Sequence, residues 1–224
     1  MTPSLNVPVP FLLDFGGSTV EDVVIFTVSM LVAVTVSAES QGFAATSLGD
    51  AQAGTTKRFH FNSFLHLDIL GTLCFYIAGF GWAKEVEVEA ANFKHPKLYL
   101  MLSRLAGPLG NFVMANIAAS VVAILGGFGI GDKVFTALVV VNMTMAVYGL
   151  ICIPPLPGAS IVSFLLPDNK VIRTAARYFR LAGPFLLIAW FLLARLSDHD
   201  PVGEVLHPLI RSMSLFLSSF MINS

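Results

Sequence analysis

Apolar residues gather in four stretches long enough to cross a bilayer, roughly 23–45, 103–128, 134–153 and 181–197, about 20 such residues being enough. Two shorter stretches, 65–82 and 205–222, are marginal. Loop 50–62 is polar, and 83–98 is polar and charged with acids alternating at Glu85, Glu87 and Glu89. That period of two predicts a short strand or hairpin. The pattern therefore predicts an all-α polytopic membrane protein of about five to six membrane helices, with one short β-like loop. The lead MTPSLNVPVPFLLDFGG is proline-rich and has no basic n-region, so it reads as extramembrane rather than as a signal peptide. The organisation expected is a lead over 1–22, a membrane core over 23–166 and C-terminal membrane helices over 167–224. The tail, with His207 and Arg211, reads as a final span, the alternative being an interfacial helix.

The basic residues decide how 65–82 runs. If it crosses, Lys57 and Arg58 lie on one side and Lys84, Lys94, Lys97 and Arg104 on the other. If it dips in and returns, all six share a side, where Lys170, Arg173, Arg177 and Arg180 join them. Ten of the thirteen Lys and Arg then face one compartment, leaving Lys133, Arg195 and Arg211. Such asymmetry marks the cytoplasmic side. Gly71, Gly79 and Gly81 make a poor straight helix, and irregular backbone at membrane depth is tolerated where protein buries it. The segment is therefore expected to be re-entrant.

Composition narrows the class. Of 224 residues 55% are hydrophobic and 12% charged, against about 25% charged in soluble domains; mean hydropathy is +0.78. An ordinary soluble enzyme is excluded, because most of the exterior must face lipid. A net charge of −1 offers no field for nucleic acid. Cys74 and Cys152 lie in apolar runs without metal-binding spacing, which argues against a disulfide framework or a zinc ribbon. The 19 phenylalanines read as core and lipid-facing packing.

Polar islands interrupt the apolar runs: Ser37, Ala38, Glu39, Ser40 and Gln41 in the first span, then KRFHFNSFLHLD (57–68), GFGWAK (79–84), NFKHP (92–96), RLAGPLGN (104–111) and IPPLPG (153–158). A carboxylate at membrane depth is costly, so Glu39 marks a site or a buried pair. In this order and spacing the islands resemble the site-2 protease family of intramembrane zinc metallopeptidases, in its small prokaryotic form. That form shows HExxHGxxAxxxGD, then GRLTLNPxxHIDPFGT, FGWAKPVxVNxxNFxxP, LAGPLSN and NLLPIPPLDG. Here stand Gly42, Ala45 and LGD (48–50), then Arg58, Asn62, His66, Asp68 and GT (71–72). FGWAK (80–84), NF (92–93), LAGPLGN (105–111) and IPPLPG (153–158) follow. The likeness covers roughly residues 37–160 and implies a site-2-protease-like membrane core.

In that family the two His of HExxH sit one helical turn apart and bind zinc, with the Glu as general base and the LDG Asp as third ligand. Aligned on the tail Gly42…LGD, those positions carry Ser37, Ala38, Gln41 and Pro157. The Asn of the family's NLLP segment falls near Gly149. Moving the register so that Glu39 becomes the glutamate puts Ala38 and Gly42, which have no metal-binding atom, at the ligand positions and breaks the GD spacing. The resemblance with these replacements implies a catalytically degenerate pseudoprotease, with no metal and no cofactor. His60, His66 and Asp68 could converge on a metal, but His66 and Asp68 match family positions outside the zinc site, where they brace a loop. His95, His199 and His207 read as solvated.

Glu39 and Arg104 replace apolar or small residues beside the former active site. They are expected to form a buried ion pair, the alternative being a protonated Glu39 and an Arg104 reaching the interface. Gly107 and Gly110 suit close helix packing. Asn111 matches the family asparagine that engages substrate backbone; it either clamps a partner strand or cross-links helices. Glu85, Glu87 and Glu89 form a solvated strand face or a partner-binding edge. The function expected is a scaffold or accessory subunit of a hetero-oligomeric complex in the prokaryotic inner membrane, holding transmembrane or extended segments of other integral membrane proteins. The alternatives are a divergent membrane hydrolase, or a lipid- or solute-binding protein using the polar cavity around Glu39.

Overall fold

The computed structural model describes residues 17–50 and 62–196; the expected stretch 205–222 and His60, His199 and His207 lie outside them. Among the described residues there are six α-helices: α1 Val20–Ser47, α2 Ile69–Ala78, α3 Pro96–Gly127, α4 Lys133–Tyr148, α5 Ala159–Leu165 and α6 Lys170–Leu196. Short 3-10 turns at Ser63–His66 and Ala90–Asn92 complete them, and the described residues hold no β-strand. The all-α membrane architecture expected from the apolar pattern is thus the one observed. Three helices, α1, α3 and α6, are long and apolar enough to cross a membrane.

Local chemistry sets the helix starts. Thr19 and Asp22 form a reciprocal capping box before α1, satisfying amide donors that a helix start leaves unpaired. Asp132 accepts the Phe135 amide at 2.7 Å before α4, and Pro96 opens α3, where its missing N–H costs nothing. Three helices outrun their apolar runs. α1 exceeds its run by two or three residues at each end, and α3 begins at Pro96 rather than near 103. α6 begins at Lys170 rather than near 181, since its basic residues recur at helical spacing. α4 stops at Tyr148, short of 153, because the proline-rich loop takes over.

α4 is the central post. Every residue from Ala137 to Tyr148 is buried, and α4 packs against both α1 and α3, which also pack on each other. An aromatic cluster closes its lower end. Phe80 lies 4.8 Å from Tyr148 and 5.3 Å from Phe191, ring centre to centre, and Phe75 and Phe26 extend the set. Phe80 belongs to the returning part of 65–82, so this contact anchors the turn to α4 and α6.

The segment 65–82 does return. The ten residues of α2 rise only about 15 Å, half of a roughly 30 Å apolar core. Leu67, before α2, then makes an antiparallel bridge with Ala83, after it, and the Lys84 N–H donates to the His66 carbonyl at 2.7 Å. The two ends of the excursion lie side by side. The strand or hairpin expected over 83–98 is corrected to this single bridge plus one 3-10 turn. Alternating acids supply the spacing of a strand, but a strand also needs a paired neighbour along its length.

The α1–α3 contact depends on glycine. A Cβ on Gly107 would sit 2.8 Å from both Ser37 Oγ and Gln41 Nε2, and one on Gly110 would run into the Ser40 side chain. Small residues let the two backbones approach. Gly110→Ala is expected to lower stability by about 1–3 kcal/mol through overpacking. Gly126→Ala, in open space, should be neutral or gain up to about 1 kcal/mol from helix propensity. Melting of the two variants in detergent checks the contrast, and equal behaviour would remove the close contact from the fold.

Candidate functional site

A cleft of about 780 Å³ opens at one end of the bundle. Its floor is α1, through Ser37 and Gln41. Residues 80–85 of the returning strap form one wall, residues 154–157 of the proline loop another, and α5 and α6 close the outside. Three of the four positions aligned with the family's HExxH and LDG residues therefore face the cleft: Ser37, Gln41 and Pro157. Ala38 is buried in α1 and is not part of the lining.

A hydrogen-bonded chain ties floor to wall. The Gln41 amide N–H reaches Ser37 Oγ at a long 3.5 Å. Arg104 Nη1 donates to Gln41 Oε1 at 3.3 Å, and Arg104 Nη2 pairs with Glu85 at 2.9 Å. Arg104 is largely buried while Glu85 is half exposed, so the guanidinium works mainly as a bracket between α1, α3 and the strap. Solvent at Glu85 limits the worth of the pair itself to the modest range of exposed ion pairs.

The expected Glu39–Arg104 pair is corrected. Glu39 Oε1 lies 3.1 Å from His66 Nε2. Helix geometry explains the exchange: Ser37 and Gln41, four apart, share one face of α1, whereas Glu39 is turned about 200° from either. It points to the base of the re-entrant segment, where Thr35 also donates to Ser63 Oγ at 2.7 Å. Both charges have partners, but separate ones. Glu39 Oε2 is buried and has no hydrogen-bond partner among the described residues.

Asp68 and Asp50 brace the loops. Asp68 Oδ1 accepts the Gly71 N–H at 2.7 Å and the Trp82 indole N–H at 3.0 Å. Asp50 is fully buried; its two oxygens accept the Glu89 N–H at 3.1 Å and the Asn92 side-chain N–H at 2.8 Å. Asp68 thus acts as a loop brace, and His66 as the partner of Glu39. Among the described residues no three His, Cys, Asp or Glu side chains form a group able to hold a metal ion. The donors that the floor does present, a hydroxyl at Ser37 and a neutral amide at Gln41, do not fit zinc, whose protein sites use Cys, His and carboxylate.

The partner-binding candidates separate. Glu85 lines the cleft, whereas Glu87 and Glu89 do not, and the Glu89 backbone is held by Asp50. Asn111 is fully buried on α3, outside the lining, and neither amide atom has a partner among the described residues. Sequence reasoning missed the cations of α6 at the cleft, Arg173 and Arg180. The signal was present in the spacing of Lys170, Arg173, Arg177 and Arg180, three, four and three apart.

Comparison with known proteins supplies one informative likeness. No family profile and no solved structure matches the chain. It is 29% identical, over 151 residues, to "Putative zinc metalloprotease YwhC" of Bacillus subtilis (strain 168), covering 63% of this chain and 69% of that protein. The resemblance to the site-2-protease-like family is borne out on that likeness. The expectation of an inactive homologue is corrected by the same finding. The similarity is to a protein named as a zinc metalloprotease, and replacement of four aligned residues describes those positions without showing loss of activity.

Double-mutant cycles test the pairing. Glu39 with His66 should show a coupling of about 0.5–3 kcal/mol, and Glu39 with Arg104 less than about 0.5 kcal/mol, as for residues without shared partners. Substitution to Gln at each position and melting in detergent provide the readout. The reverse order would restore the pair expected from sequence.

Proposed function

We propose, from the premise of a site-2-protease-like membrane protein, that this chain receives an extended segment of another membrane protein in the cleft between α1, the strap and the proline loop. The observation that supports this is the wall itself: six consecutive residues, 80–85, lie along the groove. A run of main chain beside a groove suits recognition of an extended peptide, in which backbone groups give affinity and pockets give selectivity. Ser37 and Gln41 add polar groups at the floor, and a cleft of about 780 Å³ lies within the usual range of about 300–1,000 Å³ for binding sites.

The same reading makes the chain an accessory or scaffold subunit in a hetero-oligomeric complex with other integral membrane proteins. It crosses the prokaryotic inner membrane several times, with the cleft end and its cations towards the cytoplasm. Of the residues expected to meet a partner, Glu85 lines this cleft and is the one assigned to that contact. A second reading, cleavage of the held segment, is favoured by the name of the Bacillus relative. Holding a polypeptide is common to both.

A photoreactive side chain at Val88, which lines the cleft, tests the proposal in native membranes, with Val134 at the start of α4 as control. One discrete membrane protein should be captured from Val88 and not from Val134. Capture at full length supports the subunit reading, and recovery as cut fragments supports cleavage. No protein adduct at Val88, or equal adducts at both positions, contradicts the proposal.

A further inference from the structure

Cations outnumber carboxylates in the lining of the cleft. Its lining holds Lys84, Lys97, Arg104, Arg173 and Arg180 against only two carboxylates, Glu85 and Asp168. Both carboxylates are already engaged, Glu85 with Arg104 at 2.9 Å and Asp168 with Arg173 at 3.2 Å. Lys97 Nζ is held on the Leu166 carbonyl at 2.9 Å, a neutral acceptor that fixes its position without cancelling its charge.

Lys170, Arg173, Arg177 and Arg180 occupy one face of the first half of α6. The first two stand in the opening turn, where a helix prefers negative charge. The adjoining side of α6 exposes Val171, Tyr178, Leu181 and Phe185. A basic stripe therefore runs beside an apolar surface at the end of a candidate span. Basic pockets between membrane helices, and basic clusters next to a span, bind anionic headgroups.

We propose that the outer cleft, between α3, α5 and α6, binds the phosphate headgroup of an anionic phospholipid, whose acyl chains lie along the exposed apolar side of α6. Lys97, Arg173 and Arg180 make the headgroup contacts. A zwitterionic headgroup fits less well, because both lining carboxylates are already paired and none is left for an ammonium group. The site is independent of whether a polypeptide occupies the floor of the cleft.

Native mass spectrometry of the purified full-length protein in detergent, titrated with dioleoyl-phosphatidylglycerol or dioleoyl-phosphatidylcholine, tests this. Phosphatidylglycerol should be retained about tenfold or more over phosphatidylcholine, given that each cation near an anionic surface contributes measurably. Arg173→Gln with Arg180→Gln should abolish the preference. Arg173→Lys with Arg180→Lys should keep it, and so should Lys133→Gln, which lies beside Glu21 and Asp22 instead. If the glutamine pair does not purify, Lys97→Gln on α3 should show the same loss. Equal retention of the two lipids, or a preference untouched by the glutamine variants, overturns the proposal. So does retention of added inorganic phosphate with no lipid preference, which would assign the site to a free anion.

Discussion

One carboxylate holds the turn on which the rest of the structure depends. Asp68 accepts the Gly71 N–H at the start of α2 and the Trp82 indole where the chain comes back, so a single side chain fastens both limbs of an excursion into the bundle. Backbone that is neither helix nor closed barrel survives at membrane depth only where its polar groups find partners inside the protein. The Leu67–Ala83 bridge and the Lys84 bond to the His66 carbonyl extend the same solution to the backbone. Phe80, set among Tyr148, Phe75 and Phe191, then fixes the turn against the buried post of α4.

The cleft follows from that turn. Because the chain returns to its own level, residues 80–85 come to lie over the polar island of α1 instead of continuing across the bundle. Arg104 brackets the strap to the island through Glu85 and Gln41, while Asp50 holds the far end of the strap through Glu89 and Asn92. The small residues of the GPLGN run bring α3 close enough for that bracket to reach. Polar residues that look misplaced in an apolar sequence thus divide into a bracing set, Asp50, Asp68, His66 and Glu39, and a cleft-facing set, Ser37, Gln41, Glu85 and Arg104.

Much of this was legible from the chain. The apolar runs locate α1, α3, α4 and α6, and the glycines with the distribution of Lys and Arg point to a returning segment over 65–82. The ordered motifs led to the likeness that the Bacillus relative bears out. What was not legible depended on angle and neighbours. Glu39 and Arg104 are opposite charges beside one site, but the helix turns Glu39 away from the face of Ser37 and Gln41, and His66 lies on the side it reaches. Glu85, Glu87 and Glu89 alternate like a strand, yet spacing cannot supply the neighbour that a ladder needs. The basic stripe of α6 reads as a topology signal in sequence; its relation to the cleft appears only once α6 is seen forming the outer wall.

The returning turn can be tested directly by labelling with a membrane-impermeant maleimide in sealed vesicles. Cys152 is exposed, so Cys152→Ser provides the background. Single cysteines replace Ser63 before the excursion, Val88 after it, and Lys133 at the start of α4, which follows the long α3. Ser63 and Val88 should label from the same side, and Lys133 only from the other. Labelling of Ser63 and Val88 from opposite sides would mean that 65–82 crosses the membrane, and would remove the cleft along with the turn.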